Sequence, residues 1–334
     1  MDPVSDNLEV LLSGHHFERS KHLKAYLTDP TSQGSIRLAE QPDPRPDSNQ
    51  ALVRITHFSL NRGELSFAKS GQPGRQIGWD IAGVVEAAAR NGTGPAAGSR
   101  VVGFSRASQG WAEFAALEVR DLAQIPQGVT PVQAASLPVA ALTALYALER
   151  GNRLLGSRVL VTGATGGVGS FAVSLGALLG AEVVAQVRRP DQVKSTLKLG
   201  AHQVVVDEQG DKVAQAGPFR LVIDGLGNEL TSKAIHSLAP DGIAVLYGVT
   251  VGGLLQVSPG YMLGTGTGRI EGFNLFRESE IEPISRGLDR LLHLIQKGRL
   301  DVQVDTVAGW EQAPDLAQQL NDRKFAGKAV LSIP

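Results

Sequence analysis

The sequence predicts an α/β protein of two domains, one mostly β and one doubly wound around a parallel sheet. Three observations predict it. The chain has 334 residues, more than one ordinary core organises at roughly 100–200 residues per domain. Its texture changes near residue 130, from short β-rich runs to alternating strands and helices. At one strand-to-helix junction, "VTGATGGVGS" over residues 161–170, it carries a glycine turn of the kind that receives phosphate.

Taken in order, residues 1–21 match no element and are expected to be an extension. Over 22–130, runs such as "QALVRITHFSL", "DIAGVVEA", "SRVVGFS" and "AEFAALE" alternate with Gly/Pro turns, including "AEQPDPRPDSNQ", as in a mostly antiparallel barrel-like domain. "TPVQAASLPVAALTALYALER" has helical composition broken at Pro138. Then come strand "RVLVTG", helix "SFAVSLGALLG", strand "EVVAQV", helix "DQVKSTLKLG", strands "HQVVVD" and "FRLVIDGLG", helix "NELTSKAIHSLAP" and strand "GIAVLYGV". Apolar strands spaced by helices mark a parallel sheet buried on both faces, here over 131–275. Over 276–334, helix "PISRGLDRLLHLIQKG", strand "DVQVDTV" and "GKAVLSIP" read as a return to the first domain.

Composition narrows the function. Hydrophobic residues at 42% suffice for two cores, and a net charge of −1 gives no electrostatic case for nucleic acid or an anionic membrane. No run reaches the roughly 18 apolar residues of a membrane span, and the acidic start lacks the apolar core of a signal peptide. A soluble, cytoplasmic protein is expected. Cysteine is absent, which excludes disulfides, thiolate zinc sites, iron–sulfur ligation and a cysteine nucleophile. The histidines His15, His16, His22, His57, His202, His236 and His293 show no HExxH spacing, so no protein-built metal site is expected.

The glycine turn is the dinucleotide fingerprint with Ala164 in the first place, followed by Gly166 and Gly169. Gly166 would let the backbone approach a pyrophosphate, Gly169 would let helix pack on strand, and the helix N-terminus supplies amides and dipole. A glycine turn serving only strand–helix packing is the plain alternative, but the flanking strand and helix and a second strand ending about twenty residues on favour a nucleotide. That second strand ends in "AQVRRPDQ": Gln186, then Arg188 and Arg189, with no acid until Asp191. An NAD site normally places an acid there, whereas guanidinium groups welcome the 2′-phosphate of NADP.

From about Lys24 to Pro334 the chain resembles the medium-chain dehydrogenase/reductase superfamily, above all its zinc-free quinone oxidoreductase-like branch. The resemblance rests on "LNRGEL", "GWDIAGVV", "GSRVVGF", "AASLPVAALTALYAL", "VLVTGATGGVGSFAVSLGALLGAEVV", "GAHQVVVD", "VIDGLG" and "GKAVL", in that order. It implies a GroES-like domain interrupted by a Rossmann domain, with NADPH in the cleft between them, and a homodimer. Where the family's zinc enzymes place a Cys and a His-Glu pair, this chain has Asn61 and Trp79-Asp80. Hydride transfer to a quinone or an α,β-unsaturated carbonyl is therefore expected, without Lewis-acid zinc.

The resemblance implies that Asn61 donates to the acceptor oxygen, and that Asn61, Thr143, Ala164, Thr165, Gly166, Gly167, Val168, Gly169, Arg188, Arg189, Tyr247, Phe273, Asn274 and Leu275 meet the cofactor. The family's next positions after the Asn are usually an Asp and a Tyr; here they are Glu64 and Ser66, which weakens the case for a quinone. Asp80 and Asp224 are expected to brace strand ends. An enoyl-thioester reductase and a non-catalytic NADPH-binding protein are the alternatives.

Overall fold

A computed structural model describes residues 22–264 and 268–334, so the expected extension over 1–21 lies outside the described residues. β1 (His22–Thr28) and β2 (Ile36–Pro42) pair as an antiparallel hairpin. The Pro-rich segment expected as a turn thus gives its first residues to a strand. β3 (Gln50–Ser59), α1 (Arg62–Ser70), β4 (Asp80–Ala87), β5 (Arg100–Phe104), β6 (Phe114–Glu118) and β7 (Leu122–Gln124) follow. The helical stretch divides, as expected, into α2 (Pro131–Ala135) and α3 (Pro138–Arg150); a proline lacks the amide hydrogen that an uninterrupted helix needs and is well placed to begin a new one.

The central segment comprises β8 (Arg158–Val161), α4 (Gly167–Leu178), β9 (Glu182–Val187), α5 (Val193–Lys198), β10 (Gln203–Val206), α6 (Asp211–Gln215), β11 (Phe219–Asp224), α7 (Glu229–Ile235), β12 (Leu238–Leu246), α8 (Pro259–Gly264) and β13 (Arg269–Gly272). Its strands form one parallel sheet in the order β10-β9-β8-β11-β12-β13. Two details depart from the sequence reading. β12 begins at Leu238, inside a stretch expected as helix, and stops before Tyr247. β13, the edge strand beyond it, was not expected, because "RIEG" offers no apolar run.

α9 (Leu275–Ile281), α10 (Ile284–Gln296), β14 (Val304–Gly309), α11 (Ala313–Asn321) and β15 (Lys328–Ser332) complete the chain. β15 pairs antiparallel with β3 and parallel with β14, so the C-terminal segment closes the antiparallel sheet in the order β14-β15-β3-β4-β5-β7. α3 is buried along almost its whole length, in one core with Val159 and Val183 of the parallel sheet, with Phe104 of the other and with Trp79 just before β4. Apolar burial of this kind, at about 25 cal/mol per Å², fixes the two sheets against each other and sets the width of the cleft between them. No helix among the described residues is long and apolar enough to cross a membrane.

Candidate functional site

A cleft of about 1250 Å³ is walled by both sheets. Asn61, Thr143, Thr165, Gly166, Gly167, Val168, Arg188, Arg189, Tyr247, Phe273, Asn274 and Leu275 all face it. Ala164 and Gly169 belong to the turn but lie behind it: Ala164 is fully buried, and a Cβ on Gly169 would stand 2.4 Å from the carbonyl oxygen of Gly163.

The turn is shaped by its glycines. Gly163 sits at φ 56°, in the left-handed region that favours glycine. Gly166 caps α4 in extended conformation, so the first amides of the helix point into the cleft. The C-terminal segment reaches across to this turn: Gly327 N donates to Thr165 O at 2.8 Å, and a Cβ on Gly167 would lie 3.1 Å from the Lys328 stem. The bare backbone over Gly166 and Gly167 is a cradle that fits a pyrophosphate.

At the end of β9, Gln186 occupies the place of a ribose-binding acid but is spent internally. It accepts from Gly163 N at 2.8 Å and donates to Asp207 O. Gln192 accepts from the backbone amides of Arg188 and Arg189 at 3.2 and 3.1 Å, holding the strand end in shape. Arg189 is paired with Asp191 at 3.1 Å, while Arg188 has no acidic partner among the described residues. Burial and the fields of Arg323 and Arg188 lower the pKa of Arg62, so these three guanidinium groups share one electropositive stretch of the cleft. An anion there would relieve their repulsion.

Under the cleft lies a buried polar cluster. Asp80 is fully buried at the start of β4. It accepts from Ser59 Oγ at 2.6 Å, Asn61 Nδ2 at 2.8 Å, Val139 N at 2.8 Å and Lys328 Nζ at 3.0 Å. Lys328 also donates to Leu60 O at 3.0 Å and Asn61 Oδ1 at 2.6 Å. Glu64 accepts from the backbone amides of Asn61, at 2.8 Å, and Trp79; burial and the neighbouring Asp80 push its carboxyl up to about 8. Asp224 takes donors from Thr162, Leu226, Gly227 and Thr231, closing the end of β11. Both aspartates thus brace strand ends. Asn274 caps α9 by accepting from Phe276 N at 2.9 Å, and the Tyr247 ring lies against Gly225, where a Cβ would meet it at 2.5 Å.

Beside this cluster the cleft is aromatic. Trp79 meets Phe67 edge-on at 5.9 Å and Phe276 at 5.2 Å, and Phe276 meets Phe104 at 5.0 Å between ring centroids. A flat apolar acceptor suits such walls.

A zinc ion does not suit the same place. The Lys328 ammonium stands between Asn61 and Asp80, where a metal would need open donors, and Trp79 presents an indole whose Nε1 donates to Ser108 Oγ at 3.0 Å. Zinc takes thiolate, imidazole or carboxylate ligands. Among the described residues no group of His, Cys, Asp or Glu is gathered to hold a metal.

Sequence reasoning missed Arg62, Lys328, Arg323 and Phe276. Arg62 and Lys328 stood inside "LNRGEL" and "GKAVL", so the signal was present but its side-chain geometry was not. Phe276 directly follows Phe273 to Leu275 in "GFNLF", so its segment was read but its ring was not, while Arg323 lies in a segment with no motif, and only the return of the C-terminal segment brings it to the cleft.

A family model described as zinc-binding dehydrogenase matches residues 167–290. Quinone oxidoreductase-like protein 2 of Bos taurus is 29% identical over 311 residues, 89% of each chain. Acryloyl-coenzyme A reductase of Sulfurisphaera tokodaii is 24% identical, over 92% of this chain and 99% of that one. Among solved structures, the quinone oxidoreductase of Pseudomonas syringae superposes with a TM-score of 0.82 at 22% identity, over 93% of this chain and 99% of that one. A mycobacterial protein solved with NADPH superposes at 0.81 with 26% identity, over the same shares, 93% and 99%. With a GroES-like sheet and a Rossmann sheet enclosing one cleft, the chain is similar over most of its length to quinone oxidoreductase-like proteins and shares the fold of the quinone oxidoreductases of the medium-chain dehydrogenase/reductase superfamily.

Proposed function

We propose that the protein is a zinc-independent, NADPH-dependent reductase that passes a hydride to a quinone or an α,β-unsaturated carbonyl. One juxtaposition carries the reading: the glycine turn and Arg188 lie in the same cleft as the aromatic chamber of Phe67, Trp79, Phe104 and Phe276. NADPH, when bound, supplies the hydride. The chain's own residues position the partners: the α4 amides meet the pyrophosphate, Arg188 the 2′-phosphate, and Asn61 donates to the acceptor oxygen as negative charge develops there. Thr143, Tyr247 and Phe273 to Leu275 complete the wall on the nicotinamide side. A homodimer in the cytoplasm is part of the same reading.

An enoyl-thioester reductase is the second reading, favoured by the basic residues Arg62, Lys69, Arg323 and Lys324 around the cleft. NADPH oxidation followed against naphthoquinones, short enals, enones and crotonyl-coenzyme A separates the two. A binder without turnover would oxidise no NADPH with any of them.

A further inference from the structure

Asn61 is held by opposite charges on its two sides. Its Oδ1 accepts from the Lys328 ammonium at 2.6 Å, and its Nδ2 donates to the Asp80 carboxylate at 2.8 Å. Turning the amide over would set NH2 against ammonium and oxygen against carboxylate, so the network allows one orientation. Lys328 has no freedom to yield, because its three hydrogens are all taken, by Leu60 O, Asn61 Oδ1 and Asp80 Oδ2. Lys328 and Asp80 are almost wholly buried, with side chains 3% and 0% exposed. The attraction between them is therefore little screened by water. The second hydrogen of Asn61 Nδ2 has no acceptor among the described residues, and Asn61 lines the cleft.

From this geometry we infer that Lys328 is a positioning residue for catalysis: its ammonium fixes and polarises the Asn61 amide so that the free N–H becomes a stronger donor to the acceptor oxygen. The inference rests on the proposed reductase activity. The physical basis is that a carbonyl oxygen bonded to a cation draws electron density from its own nitrogen, and chained hydrogen bonds strengthen one another at low dielectric. Lys328 itself reaches no substrate. It acts through Asn61.

Lys328→Met and Lys328→Arg test this, read in kcat, in KM for the acceptor, in NADPH affinity by fluorescence and in the isotope effect with 4-deuterated NADPH. Removing one preorganised donor costs about 100- to 1000-fold in other enzymes, and weakening it here should lower kcat about 10- to 100-fold. NADPH affinity should stay within about threefold and the isotope effect should rise, with Lys328→Arg recovering most of kcat. Should Lys328→Met alone fail to fold, the double variant with Asp80→Asn removes both buried charges together and is read in the same way. A folded variant with kcat within about twofold of the wild type, or with an equal loss of NADPH affinity, overturns the inference. If the wild type turns over no acceptor, the proposed function fails, and the Asn61 side-chain amide signals in ¹⁵N NMR still decide this point. A downfield shift and slower exchange in the wild type relative to Lys328→Met support it, and unchanged signals overturn it.

Discussion

Gly169 lies against Gly163, so close that a Cβ on it would approach the Gly163 carbonyl oxygen to 2.4 Å and the Ala164 Cα to 2.8 Å. Gly166 is different: a Cβ there would meet the same oxygen at 3.2 Å, and its φ of −76° suits any residue. The two glycines should therefore fail differently. Gly169→Ala overpacks the strand–helix junction and should lower stability by about 1–3 kcal/mol. Gly166→Ala should leave the melting temperature nearly unchanged and weaken NADPH instead, by masking the backbone from the pyrophosphate. Thermal melts alongside fluorescence titration check both, and a Gly166→Ala protein with wild-type NADPH affinity would speak against a pyrophosphate at this turn.

Arg188 has no acidic partner among the described residues, whereas Arg189 is engaged by Asp191. The load expected to be shared between them should fall mainly on Arg188. A guanidinium–phosphate contact is worth roughly 1.5–3 kcal/mol, or about 10- to 100-fold in affinity, so Arg188→Ala should raise KM for NADPH by that factor and barely alter NADH. Arg188→Asp should shift preference further toward NADH, by repelling the phosphate and accepting from a free 2′-hydroxyl. Steady-state kinetics with both cofactors decide it. A wild type that already prefers NADH refutes the assignment.

Much of this site was legible in the sequence because it is encoded by local rules. The turn from Ala164 to Gly169 could be read from spacing, since steric demands on a tight strand-to-helix junction leave glycine few substitutes. The basic end of β9 could be read for the same reason: strand length fixes where it stops. Lys328 could not be read. Its partner Asp80 is some 248 positions away in the chain, and only the pairing of β15 with β3 and of β3 with β4 brings them together. β13 was hidden because "RIEG" carries no apolar period, being placed by its ladder with β12 rather than by a buried face.

The ammonium of Lys328 occupies the position from which a metal would otherwise engage Asn61 and Asp80. Purified protein should accordingly contain no stoichiometric zinc, and chelators should leave activity unchanged. Elemental analysis finding one zinc per chain would overturn this.

Glu64 makes stability depend on pH. Burial and Asp80 push its folded-state pKa up to about 8, against about 4.3 in an unfolded chain. The folded state thus holds the proton more tightly, and this contribution is fully present below the unfolded value and lost as pH rises through the folded one. Glu64→Gln carries a constant cost, because its amide nitrogen must face one of the Asn61 and Trp79 amides, but it has no proton to lose. The melting temperature of the wild type should fall more than that of Glu64→Gln between about pH 5 and pH 8.5. Parallel curves would show that Glu64 is ionised throughout.

The edge of the parallel sheet points to assembly. β13 pairs with β12 on one side and with no strand among the described residues on the other. Close to it in the chain, Leu254, Leu263 and Val249 are 88%, 83% and 76% exposed, and Ile270 on the edge strand itself is 40% exposed. An open edge beside apolar surface favours pairing with a second copy across a two-fold axis, which would satisfy the free backbone groups and cover the apolar side chains together. The expected particle is a homodimer, with a mass by light scattering of twice 35.2 kDa. Ile270→Asp, which sets like charges near each other across the axis, should give monomers that keep their secondary structure. Leu254→Glu should weaken the dimer less, since it lies off the strand and leaves the ladder intact. A wild-type protein that is monomeric at micromolar concentration, or an Ile270→Asp variant that remains dimeric, would place the interface elsewhere or remove it.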